Sequence, residues 1–172
     1  MNENVTIRPI TEADTDNIIR WRNAPSVVEH FIYRTPLTAE AHLNWLHSRV
    51  ETGDVAQFII MDGETPVGSV YLRDIDRQNQ KCEYGIFIGE ESCRGKGIGS
   101  AAAKLALDYA FDELGLNRVY LRVFADNKRA IKSYENAGFR REGTFREDVI
   151  IDGVGYDMVF MGILKKEWEN NR

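Results

Sequence analysis

The chain is short of cysteine, histidine and basic charge, and each shortage removes a class of protein. Cys82 and Cys93 are too few and too ill-spaced to build a zinc site, so both read as free thiols. His30, His42 and His47 lack metal-ligand spacing, with His42 and His47 five apart and off a common helical face, so no metal is expected. No apolar run approaches the ~18 residues that a membrane span needs, which excludes a membrane partner. The stretch from Met1 to Ile7 has neither a basic n-region nor an apolar h-region, so the expectation is a protein that stays in a reducing cytoplasm. With 22 Lys and Arg against 27 Asp and Glu, the net charge of −5 argues against a nucleic-acid partner held by bulk electrostatics. Repeats, linkers and low-complexity tracts are also missing. What is there is an ordinary globular composition, 43% hydrophobic and 28% charged, and 172 residues are enough for a single domain spanning residues 1–172.

Hydrophobic periodicity orders the elements. Val5 to Arg8 reads as a strand. Thr11 caps a helix that runs through Ile18, Ile19 and Trp21 to a stop near Pro25, and a second helix starts after Thr38 with Leu43, Leu46 and Val50 as its buried stripe. Val55 to Met61 and Val67 to Leu72 form a hairpin around Asp62-Gly63, and Cys82 to Ile88 continues the sheet with Glu83 and Phe87 opposite Ile86 and Ile88. A helix carrying Ala102, Leu105, Ala106 and Tyr109 ends at Gly115, and Arg118 to Phe124 follows as a strand. That makes a βαβ unit with a parallel pair. Asn127 caps a helix with Ala130, Ile131, Tyr134 and Ala137 on one side, and two final strands flank Asp152-Gly153. The fold class is α+β, a mixed sheet covered by helices.

The chemistry gathers at Arg94-Gly95-Lys96-Gly97-Ile98-Gly99-Ser100, where alternating glycines lie between a strand and a long helix. Backbone amides at a helix start are unpaired donors backed by a positive dipole end, and glycine lets an anion come close. A P-loop would need Ser or Thr after the lysine, whereas Lys96 is followed by Gly97. A dinucleotide fingerprint finds Gly95 and Gly97 but meets Ser100 at its last position, and Gly89 to Cys93 stand where a tight turn is needed. The pattern Arg-x-x-Gly-x-Gly is met in full by Arg94, Gly97 and Gly99. A glycine loop without a ligand is the remaining alternative.

A second motif, Asn127 through Phe139, reads N-x-x-A-x-x-x-Y-x-x-x-G-F. With both motifs at this separation the sequence resembles the GCN5-related N-acetyltransferase (GNAT) superfamily over nearly its whole length. The resemblance implies a mostly antiparallel mixed sheet with a splayed parallel pair, flanked by about four helices, and acetyl-CoA as co-substrate. It places Phe87, Ile88, Arg94, Gly95, Lys96, Gly97, Ile98, Gly99, Ser100, Asn127, Lys128 and Ala130 at the cofactor. The tail from Arg146 to Leu164 is similar to ribosomal-protein and spermidine N-acetyltransferases, whereas Trp21-Arg22-Asn23 is similar to amino-sugar-nucleotide N-acetyltransferases. The acceptor is therefore a small-molecule or peptide amine whose identity the sequence leaves open, with Trp21, Arg22, Asn23, Phe31 and Tyr33 in the region that covers it.

Acetyl transfer from a thioester needs a free amine lone pair, a stabilised oxyanion and a tolerated thiolate. By pattern alone Tyr134 is an inward core residue; the resemblance makes it the proton or hydrogen-bond donor to the departing thiolate. Strand alternation aims Glu83 toward the acceptor cleft, as a general base or as a salt-bridged strand residue. A backbone amide near Ile88 would hold the oxyanion. The competing classes are a CoA-binding regulatory module without activity and a nicotinamide-dependent oxidoreductase. The final strands are candidates to extend the sheet across a homodimer.

Overall fold

The computed structural model describes residues 4–170; residues 1–3, part of the stretch read for an export leader, and residues 171–172 lie outside it. Seven strands form one sheet: β1 (Val5–Pro9), β2 (Ala56–Asp62), β3 (Thr65–Asp76), β4 (Lys81–Ile88), β5 (Arg118–Phe124), β6 (Arg140–Ile151) and β7 (Val154–Leu164). Their order is β1-β2-β3-β4-β5-β7-β6. Every neighbouring pair is antiparallel except β4 and β5, so the sheet is the expected mixed one with a parallel pair at its centre.

Six helices cover it: α1 (Thr15–Arg22), α2 (Pro25–Val28), α3 (Ala39–Trp45), α4 (Ile98–Asp108), α5 (Lys128–Asn136) and α6 (Lys165–Asn170). The two beyond the expected four are short. Pro25 opens the one-turn α2 instead of only ending α1, because proline at the first helical position loses no intrahelical bond. The turn α6 is held by Trp168, whose buried indole lies 6.5 Å from the ring of Phe111. Among the described residues no helix is long and apolar enough to cross a membrane.

Alternation splits the sheet into two apolar faces. Cys82 and Tyr84 of β4, with Val119, Leu121 and Val123 of β5, face α4, whose buried stripe of Ile98, Ala102, Ala103, Ala106 and Leu107 is continued by Ala110 and Phe111 in the turn that follows it. Leu105 and Tyr109, expected in that stripe, are half-buried at its margin. The small alanines let the helix axis approach the sheet, which rotates the larger side chains outward. On the other face Ile59 and Phe87 meet Ile18, Trp21, Val27 and Leu46 from α1, α2 and the wide turn that prolongs α3. Asp14 fastens that layer to β1: its carboxylate accepts from Arg8 Nη2 at 2.6 Å and Nη1 at 2.9 Å, and from the Thr11 amide at 2.9 Å.

Trp21 lies against Gly89, where an added Cβ would sit 2.1 Å from the indole, and the indole N–H donates to Glu90 Oε1 at 2.8 Å. An alanine at Gly89 therefore overpacks a rigid, 1% exposed side chain. The expected cost of Gly89→Ala is about 1–3 kcal/mol, read as a lower urea midpoint at constant slope; an unchanged midpoint would remove the contact from the account. Acid should weaken the same layer. His42 is buried between α3 and α1, its Nδ1 3.1 Å from Thr15 Oγ1, and burial lowers its pKa below 6.5 against the opposing pull of Asp14. The unfolded chain then takes up this proton first, so stability is full above about pH 6.5 and falls as pH drops through that value, by at most about 1.4 kcal/mol per pH unit. Exposed His47 has a raised pKa from its bond to Glu12 and acts with the opposite sign, losing its contribution as pH rises. Thermal melts at pH 5–7 should fall less steeply toward acid in His42→Gln than in the wild type; parallel profiles would contradict the assignment.

Candidate active site

The parallel pairing of β4 with β5 stops early. It runs from Lys81 opposite Arg118 to Glu83 opposite Tyr120, although the strands continue to Ile88 and Phe124. Beyond that rung they part, leaving a fork whose inner edge is backbone without a strand partner on that side. At the last rung Glu83, 6% exposed, binds two arginines: Oε2 accepts from Arg73 Nε at 3.2 Å and lies 3.1 Å from its Nη2, and Oε1 accepts from Arg122 Nε at 3.0 Å. Three adjacent strands are thus clasped through one carboxylate at the point where two of them separate.

A cavity of about 1030 Å³ passes through this fork and is lined from both sides of the sheet. Tyr71 of β3 crosses over its partner Gly85: a Cβ there would meet Tyr71 Cζ at 2.3 Å and Oη at 2.4 Å, so the missing side chain is what admits the phenol. Burial raises the Tyr71 pKa, while Arg73 and Arg22 pull it back. Tyr134 of α5 lies edge-on to Tyr84, with ring centroids 6.1 Å apart, and 6.0 Å from Phe139. Burial, and then the neighbouring Tyr71, push its phenol far above the ordinary value, so it stays protonated. Among the described residues nothing hydrogen-bonds its hydroxyl.

On the other side of the fork lies the glycine loop. Gly95 and Gly97 have φ of +78° and +79°, a left-handed backbone that a Cβ would strain, and Gly97 caps α4. The first bond of α4 runs from the Ala101 amide to Gly97 O at 3.0 Å, so the amides before it are free to meet a ligand. Arg94 donates through Nε to Ile88 O at 3.0 Å, yet its buried Nη2 has no partner among the described residues. Arg129 Nη2 comes within 3.2 Å of where a Cβ on Gly95 would stand. Free amides, a helix dipole and two guanidinium groups converge on one spot, an arrangement that fits a pyrophosphate.

The residues expected at the cofactor divide. Phe87, Ile88, Arg94, Gly95, Gly97, Gly99, Ser100, Asn127 and Ala130 line the cavity. Lys96 is exposed, Ile98 is buried in the core as the first residue of α4, and Lys128 turns away, its Nζ donating to Ala125 O at 2.6 Å. Asn127 caps α5 by accepting from the Ala130 amide at 3.1 Å while still lining the cavity. Of the acceptor set, Arg22, Phe31 and Tyr33 line the cavity, but Trp21 is core and Asn23 braces the loop carrying Phe31 through two bonds to Leu37, at 2.9 and 2.8 Å. Arg22 stacks its guanidinium 3.4 Å over the ring of Phe31, which packs in turn on Phe87 at 5.8 Å. Tyr71, Arg73 and Arg122 were missed; their signal was polar residues at alternate positions on strands whose other face is apolar. Away from the cavity, exposed Glu12, His47 and Glu51 gather within 4.8 Å of one another, with His47 Nε2 engaged by Glu12 Oε1 at 2.6 Å.

Comparison with known proteins gives the family. Residues 4–140 match the family model described as Acetyltransferase (GNAT) domain. A Bacillus subtilis (strain 168) protein named for ribosomal N-acetylation is 28% identical, covering 100% of this chain and 97% of the relative. The spermidine N(1)-acetyltransferase of Escherichia coli (strain K12) is 31% identical over 95% of this chain and 88% of its own. Among solved structures, a Vibrio cholerae spermidine N-acetyltransferase in complex with CoA and spermine superposes with a TM-score of 0.91 at 25% identity, covering 98% of this chain and 99% of that one. Another structure from that species is described as dodecameric. The chain belongs to the GNAT acetyltransferase family, and acetyl-CoA-dependent acetylation of an amine is its reaction.

Proposed function

We propose that the chain, acting as one domain, transfers acetyl directly from acetyl-CoA to a primary amine inside the fork between β4 and β5. The observation that carries this reading is Tyr134, a half-buried phenol without a hydrogen-bond partner among the described residues, in the wall of a cavity that also holds the glycine loop. Arg94 and the amides from Gly95 to Ser100 take the pyrophosphate, and Asn127 and Ala130 flank the arm that leads inward.

In the transfer a C–N bond forms as the C–S bond breaks, the amine gives up a proton to solvent, and the sulfur leaves as thiolate. A phenol with a raised pKa keeps its proton, so Tyr134 stabilises the thiolate as a hydrogen-bond donor and solvent completes the protonation. An amide near Ile88 receives the carbonyl oxygen as it becomes anionic. Glu83 is occupied by two guanidinium groups at both oxygens, and we assign it to holding Arg73 and Arg122 in the acceptor wall. Arginines around the amine disfavour its ammonium form, so the nucleophile is neutral on arrival without a dedicated base. Self-association through the edge strand β6 accords with the exposed Phe145 and Ile150 on it and Val154 beside it.

Tyr134→Phe should lower kcat about 100-fold while the calorimetric Kd for acetyl-CoA stays within twofold of the wild type. Turnover equal to the wild type would remove Tyr134 from the mechanism.

A further inference from the structure

Arg22 has features that neither packing nor the donor accounts for. Its Nη1 is buried without a hydrogen-bond partner, and among the described residues no carboxylate lies within ion-pair distance of the guanidinium. The group faces the cavity between the ring of Phe31 and the Tyr71 phenol that covers Gly85. A buried cation with an empty donor edge is costly unless something binds there, and nothing on the protein side does.

The surrounding charge is net positive. Arg73 and Arg122 share the single carboxylate of Glu83, Arg73 having only exposed Asp74 besides, at 3.9 Å. The other acid of this half of the cavity, Glu29, is exposed at the rim, 3.5 Å from His30. A linear polycation would enter a like-charged site and leave Arg22 bare. An oxyanion would satisfy it.

We propose that the acceptor is a small amine that also carries an oxyanion, a carboxylate or a phosphate, and that Arg22 binds this oxyanion inside the cavity. This rests on reading the cavity as the amine site of an acetyl-CoA-dependent transferase. The planar guanidinium suits either anion, because both present two oxygens to its paired N–H groups. Tyr71 borders the same space and limits how far the anion can stand from the amine.

Thiol release from acetyl-CoA should be measured with matched acceptors: β-alanine against its amide, glucosamine 6-phosphate against glucosamine, and spermidine. The anionic member of at least one pair should exceed its neutral partner at least tenfold in kcat/KM, and the pair that shows it distinguishes carboxylate from phosphate. Arg22→Gln should reduce that preference about ten- to a hundredfold, mainly through KM, and Arg22→Lys should fall between, since it keeps the charge and loses the fork. Melting curves of both variants establish that they are folded. Neutral amines or spermidine acetylated as well as the anionic members, or a preference that survives Arg22→Gln, would overturn the inference and leave the transferase reading intact. No acetyl-CoA binding by calorimetry, with no transfer to any acceptor, would overturn both.

Discussion

A carboxylate buried in a sheet must be compensated, and Glu83 is compensated from both sides at once, by Arg73 of β3 and Arg122 of β5. The clasp spans three strands at the last rung where β4 and β5 still pair. Below it the sheet is continuous and the alternating apolar residues of both strands reach α4. Above it the two strands separate, and backbone that a continuous sheet would have consumed becomes the edge of a cavity. The fork, the space for Tyr71 over Gly85 and the approach of Tyr134 from α5 all lie beyond that rung. Removing one guanidinium would leave the carboxylate half-paired in the interior, a larger cost than replacing the whole cluster by apolar side chains would carry.

The two halves of the cavity are built from different materials. On the donor side the contacts are mostly main chain: glycines with positive φ, the free amides of a helix start, and the caps that aim them. Such a site depends on backbone shape, so it leaves a strong trace in sequence as glycines at fixed spacing. On the acceptor side the lining is side chains from two strands, the end of α1 and a loop, namely Arg22, Phe31, Tyr71, Arg73 and Arg122. No fixed spacing ties them together, since they converge only after the sheet has formed.

That contrast explains what was legible. Arg94, Gly97 and Gly99, with Asn127 and Tyr134, point to the donor from the sequence, and β-alternation alone puts Glu83 and Phe87 on one face of β4. The hairpins and the βαβ unit followed from periodicity because each strand has one apolar face to declare its register. Short helices escaped, since α2 and α6 span too few residues to show a period. Trp21 and Asn23 lie beside Arg22 in sequence, which groups the three, yet helical geometry sends successive side chains in different directions. Only Arg22 of the three reaches the cavity. Tyr71 was invisible because its position depends on an absent side chain in another strand, at Gly85.

The charge of the acceptor wall has a chemical consequence as well as a selective one. An amine is a nucleophile only when neutral, and a carboxylate already claimed by two guanidinium groups has little lone-pair density left to accept its proton. A cavity rich in guanidinium groups reaches the same end by electrostatics, lowering the pKa of an ammonium group placed among them. In the proposed reading the same field would repel molecules with several positive charges and hold those whose negative group can meet Arg22. Selectivity then comes as much from rejecting the wrong charge as from binding the right one. Relatives with 25–31% identity and names that point to different amines fit this division: a shared backbone cradle can serve one donor, while a handful of wall residues decides which amine it meets.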